Sequence, residues 1–204
     1  AAGGSVETRV QDVADTDSFA TMIGDVASSN GLDILVNNAA HVGFGSVADA
    51  SLENFRENFR VNVDATYAGM QAAIKAMSDN GGSIINISSI NGDRAMPGMA
   101  GYSSSKAALL HLTRLASMET AGQNIRVNAV TPGPIMTPGT EAFIQSDPKS
   151  GEAIAAGIPM KRMGRPEEVA NVVLFLASDM SSYVTGANIP VDGGKANELA
   201  VNQG

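Results

Sequence analysis

The strongest constraint on this chain is an alternation. Short apolar runs, rich in β-branched residues, are separated by helical stretches two or more times their length. LDILV at 32–36 and SIINI at 83–87 are nearly continuous apolar runs, as expected of strands buried on both faces. IRVNAV at 125–130 and NIPV at 188–191 read the same way, and residues 5–10 alternate as a further strand. Between these runs the spacing predicts helices over 16–28, 51–77, 102–119 and 166–178. Asp15 or Thr16, Ser51 and Pro166 supply start signals, and Gly81 with Gly82 a stop. Strands joined through helices of this length are parallel, with the helices covering both faces. The expectation is therefore an α/β fold, a doubly wound parallel sheet. No repeat or linker interrupts residues 1–204, which read as one domain.

Charge and composition narrow the function. A formal charge of −8 and no basic run speak against nucleic acid and against an anionic membrane, whose phosphates call for clustered Lys and Arg. These 204 residues contain no Cys and two distant histidines, so thiolate chemistry and a His- or Cys-based metal site find no support. The longest apolar run, 172–177, is far short of a membrane span, and the first residues lack a secretory pattern, so a cytoplasmic protein is expected.

On sheets of this kind ligands bind beyond the carboxyl ends of the strands. The residues there are Asp12, 37–40, Ser88 with Ser89, and 131–137, all small or polar stretches. NNAA at 37–40 suits close approach of a flat ligand to the backbone, or an Asn tie between strands; taken alone, an ordinary turn is the commoner reading. GYSSSK places Tyr102 and Lys106 one helical turn apart, on one face. A neighbouring ammonium favours phenolate and would bring a phenol into the range of acid–base work, with Ser89 donating to the same substrate oxygen. Taken alone, this spacing is weak. Asn62 lies inside a long apolar helix and needs a buried partner, for which a structural bond is the commoner reading. Asp12 reads most simply as a helix cap. In NAVTPGPIMTP, Pro132 and Gly133 end a strand and free Ile135 and Thr137 to meet a ligand.

In order along the chain stand DV at Asp12 and Val13, NNAA, VNV around Asn62, ISS ending at Ser89, YSSSK, RVNAVTPGPIMT, and finally RMGRPEEVANVVLFLASDMSSYVTGANIPVDGG. Together they resemble the short-chain dehydrogenase/reductase family over about residues 6–194. The resemblance implies a Rossmann-type domain passing a hydride between NAD or NADP and a ketone or secondary alcohol. It implies Tyr102 as acid/base, Lys106 lowering its pKa and holding the nicotinamide ribose, Ser89 positioning the substrate oxygen, and Asn62 completing a proton relay. Asp12 and Val13 would contact adenine, Asn38, Ala39 and Ala40 would line the cofactor, and Pro132, Gly133, Ile135 and Thr137 would border its nicotinamide end. Ala40 stands where the family usually has Gly.

Family members begin with a glycine-rich phosphate turn between a first strand and helix, followed by a second such unit. The chain given starts near the third strand, so the first two strand–helix units are missing from it, and roughly 50 further residues are expected at its front, as a domain of ordinary size requires. The rival expectation is a non-catalytic family member acting as a binding or scaffolding subunit. Two further expectations concern shape. Apolar residues on more than one stripe of the long helices suggest a homodimer or homotetramer, and an irregular lid over 134–159, with 91–98, would set substrate specificity.

Overall fold

The computed structural model describes residues 4–197. Its sheet has four parallel strands in sequence order: β1 (Ile34–Asn37), β2 (Gly82–Ile87), β3 (Ile125–Pro132) and β4 (Asn188–Val191). Successive residues of β2 point to opposite faces, and both faces are covered. Ile84 joins Met70, Ala73, Met77 and Ile125 under helices α3 (Ala65–Met77) and α4 (Ala100–Thr120). Ile85 joins Val130 and Leu176 under α7 (Pro166–Ala177). The sheet is doubly wound, as the uninterrupted apolar strands imply.

Polar side chains lock the strands in register. Asn37 Nδ2 donates to Asn86 Oδ1 at 2.8 Å, and Asn86 Nδ2 to Thr113 Oγ1 at 2.9 Å, tying β1, β2 and α4 through the core. Asn128 on β3 holds the approach to β4, accepting from Ala187 N at 3.0 Å and donating to Val184 O at 2.9 Å. Buried amides satisfied on both sides in this way resist a slip of register.

Two expectations are corrected, and a third gains detail. Residues 5–10 do not form a strand: no strand pairs with them among the described residues, and Val6 and Val10 are fully in solvent. The helical stretch 51–77 forms as expected, with one added feature. α2 (Leu52–Phe59) passes through one wide π-helical turn, Arg60–Asp64, into α3, and that widened turn carries the buried Asn62. The stretch 134–159 is not irregular, since it contains two short helices, α5 (Pro138–Ser146) and α6 (Pro148–Ala156), each with proline in its first turn. Thr137 and Asp147 cap them through their side chains. α1 (Thr16–Asn30) forms as expected, capped by Asp15.

Candidate active site

A cleft of about 910 Å³ opens at the carboxyl ends of the strands. β2 delivers Ser88 and Ser89 to it, β3 delivers Pro132 and Gly133, and the first turn of α4 delivers Tyr102 with Lys106 one turn below. α4 packs closely against α2 there because Gly101 has no side chain: a Cβ would stand 2.9 Å from Asn58 Nδ2 and 3.1 Å from Phe55 Cα.

Lys106 is the largest fully enclosed side chain among the described residues, 2% exposed. Its Nζ donates to Ile87 O at 2.8 Å and lies 5.8 Å from the centre of the Tyr102 ring. Removal from water disfavours the ammonium and brings its pKa down from 10.5 to about 8. Burial likewise pushes the Tyr102 phenol upward, because the phenolate is the charged form, while a hydrogen bond with Ser89 pulls the other way. Ser89 itself is fixed by accepting from Asn91 N at 3.2 Å.

Asn62 sits behind this wall and not in the cleft. Its Nδ2 donates to Ser105 Oγ and to His41 O, both at 2.9 Å, and its Oδ1 accepts from His41 N at 2.8 Å. Ser105 in turn donates to Tyr102 O at 2.8 Å, so the amide braces the turn that carries the phenol. The sequence-level structural reading of Asn62 describes its side chain well.

Of the other expected residues, Asn38, Ala40, Pro132, Gly133, Ile135 and Thr137 line the cleft. Ile135 is held there by a short parallel bridge to Gly164, with Met136 N donating to Gly164 O at 2.8 Å and Gly164 N to Pro134 O at 3.0 Å. Ile135 packs closely on Gly164, where a Cβ would come 2.6 Å from Ile135 Cδ1. The bridge is anchored by Glu168, which takes Arg162 on both carboxylate oxygens at 2.7 and 2.8 Å and Arg165 N at 2.7 Å. Those bonds hold its carboxyl down near a pKa of about 2, the Arg162 pair contributing most. Ala39 does not line the cleft, and neither do Asp12 and Val13. Asp12 is exposed and serves the turn before α1, its Oδ1 accepting from Ala14 N at 3.0 Å.

Residues outside the expected set also reach the cleft, among them Met99, Ile154, Val169, Arg94 and Lys195. Arg94 and Met96 fall in the stretch 91–98 expected to shape specificity, whereas nothing in the spacing marks Val169 or Lys195 as cleft residues.

A family model described as enoyl-(acyl carrier protein) reductase matches residues 1–196. The 3-oxoacyl-[acyl-carrier-protein] reductase FabG of Thermotoga maritima is 41% identical over 198 residues, covering 94% of this chain and 77% of that protein. A solved putative NAD(P) dependent gluconate 5-dehydrogenase from Beutenbergia cavernae, with bound NADP, superposes with a TM-score of 0.90 at 35% identity, covering 96% of this chain and 79% of that one. A short-chain type dehydrogenase/reductase from Mycobacterium marinum gives 0.86 at 36% identity, covering 95% and 76%. The chain belongs to the short-chain dehydrogenase/reductase family. It is an NAD(P)-dependent oxidoreductase of the kind that interconverts ketones and alcohols.

Proposed function

We propose that Tyr102 is the general acid and base of this reaction, with Ser89 and Lys106 as its partners in the cleft. The observation that carries this reading is the convergence of the three side chains on one cleft, one of them a lysine 2% exposed. A buried ammonium without a carboxylate partner is unfavourable for stability. Its retention beneath an aromatic hydroxyl fits a catalytic task.

The walls suit a dinucleotide's nicotinamide half. Gly133 lets the chain pass Asp192 closely, since a Cβ there would stand 2.8 Å from Asp192 Cα, and the small residues at Asn38 and Ala40 leave the backbone open to a flat ring. Asn38, Ala40, Pro132, Gly133, Ile135 and Thr137 would hold that half, with Lys106 on its ribose. Asp12, Val13 and Ala39 would act further along it, away from this cleft. Bound NAD or NADP supplies the hydride acceptor or donor. For reduction, Ser89 donates a hydrogen bond to the substrate carbonyl and Tyr102 gives it a proton, and Lys106 stabilises the phenolate left behind. Oxidation runs the same steps in reverse. Asn62 is a positioning residue, acting through Ser105 and the His41 backbone.

Tyr102→Phe is expected to reduce turnover of a ketone panel by about 1,000-fold, within the usual range for a lost acid–base group, with the melting temperature unchanged. Activity within about tenfold of the parent would overturn the assignment, because no acid–base group would then have been removed.

Residues 1–204 act as a single domain in this reading. A homodimer or homotetramer is supported by exposed apolar residues on the outer side of α4, Leu115 at 46% and Met118 at 82%. A monomer by light scattering would refute it. A cytoplasmic site of action is part of this reading; no helix among the described residues is long and apolar enough to cross a membrane.

A further inference from the structure

Asn91 lines the cleft two residues beyond Ser89, and its amide is poorly matched to its surroundings. Its Nδ2 donates to Met99 Sδ at 3.2 Å and to Met96 Sδ at 3.7 Å, and a thioether is a weak acceptor. Those contacts settle which way the amide faces. A thioether has no hydrogen to give, so the nitrogen lies on the methionines and Oδ1 is turned away from them. Among the described residues no donor reaches Oδ1. Leu or Met in this place would support the two methionines without the cost of partly desolvating an amide.

The amide is also held still. Met99 is 7% exposed and forms a parallel bridge to Gly45, with Gly45 N donating to Gly98 O at 2.7 Å and Ala100 N to Gly45 O at 3.1 Å. The turn that bears Asn91 is tied further on to β4 and the segment after it. Asp93 Oδ2 accepts from Asn188 Nδ2 at 2.7 Å, and Arg94 Nε donates to Ala196 O at 2.9 Å. Asn91 N donates to Ser89 Oγ, which with the length of the side chain keeps the amide within about 8 Å of that hydroxyl. Two hydrogen bonds of about 2.8 Å each, linked through oxygens on neighbouring carbons, bridge a gap of this size.

We infer that Asn91 determines specificity: its Oδ1 accepts a hydrogen bond from a hydroxyl on the carbon next to the reacting carbonyl. The substrate class is then the α-hydroxyketone, together with the vicinal diol it interconverts with. The inference rests on the reading of Ser89 and Tyr102 as the reaction centre. The donor is a neutral hydroxyl and not an ammonium. No Asp or Glu lines the cleft among the described residues, and Lys106 already places a cation there. The apolar lining nearby, including Ile90, Met96 and Ile154, suits the rest of a carbon chain.

The test is a ligand-observed NMR titration of the full chain with three ketones. They are 1-hydroxyhexan-2-one, heptan-3-one, which has a methyl in place of the hydroxyl, and 1-methoxyhexan-2-one, whose ether oxygen accepts but does not donate. The hydroxyketone is expected to bind about 5-fold more tightly than either, the size of one hydrogen bond partly open to solvent. In Asn91→Leu, close to Asn in shape, that advantage is expected to fall to within about 2-fold. Equal binding of the hydroxyketone and heptan-3-one by the unaltered protein would overturn the inference without any variant. So would a methoxyketone as tight as the hydroxyketone, which would make Nδ2 the group that is read. A preference that survives in Asn91→Leu would overturn it too. Turnover is assayed separately. A hydroxyl preference that Asn91→Leu removes, in a protein whose Tyr102→Phe variant keeps full activity, would strike the Tyr102 reading and leave Asn91 standing.

Discussion

The two walls of the cleft are built on opposite plans. The wall made by β2, β3 and α4 is enclosed: Lys106, Ser88, Ser105 and Asn62 are all buried, and their side chains have hydrogen-bond partners. The facing wall is made by α5 and α6, of which α5 buries no residue and α6 only Gly151. Phe143 on α5 is half exposed, and Met96 in the 91–98 stretch, which also borders the cleft, slightly more. Chemistry that tolerates little displacement of the reacting groups sits on elements over-determined by packing. In the proposed reading, selection of substrate falls to the short helices, whose contacts are few, so that changes there leave the core intact.

The comparison breaks first at Lys106. Lys106→Met is expected to lower turnover at least 100-fold, within the range for acid–base assistance, while raising stability at pH 7 by roughly 1–3 kcal/mol, as when a buried charge gives way to an apolar chain. The sign follows from its pKa of about 8 when folded against 10.5 unfolded. Below pH 8 both states are protonated and the folded protein bears the full desolvation penalty. From pH 8 to 10.5 the folded state releases its proton first, so native stability rises and the variant's advantage shrinks. Thermal melts of both proteins across that window check this, and an advantage constant with pH would mean that the lysine is not desolvated as described.

Asn62→Ala probes the same wall from behind. It leaves His41 and Ser105 without their partner and is expected to cost about 2–3 kcal/mol, with a fall in turnover through the loosened Tyr102 turn. Denaturant unfolding measures the first effect. A stable variant would show that water replaces the amide.

On the boundary between the walls stands Glu168. Glu168→Gln is expected to lower the melting temperature above pH 4.5, with the difference disappearing as pH falls through about 2. The carboxyl's depressed pKa stabilises the fold only while the unfolded group is ionised, so the contribution is lost on acidification. A pH-independent difference would exclude the ion pairs as its cause.

The smallest effect on stability is expected from Met96→Ala, within about 0.5 kcal/mol as for other exposed positions, accompanied by a changed KM across a ketone series. A large loss of stability there would erase the contrast between the walls.

The sequence determined the sheet and most of its helices because buried strands and amphipathic helices write their periods directly into the order of residues. It also marked the enclosed wall, since Ser89, Tyr102 and Lys106 recur at spacings that one strand end and one helical turn bring together. Sequence alone misread two stretches and missed the detail of a third. Residues 5–10 have strand-like alternation, yet a strand exists only with a paired neighbour. Asn62 widens its helix because His41 and Ser105 are within reach, and α5 and α6 are too short for periodicity to announce. Val169 and Lys195 reached the cleft by tertiary folding alone. Their arrival there follows from where the chain returns over the sheet, which no local pattern records.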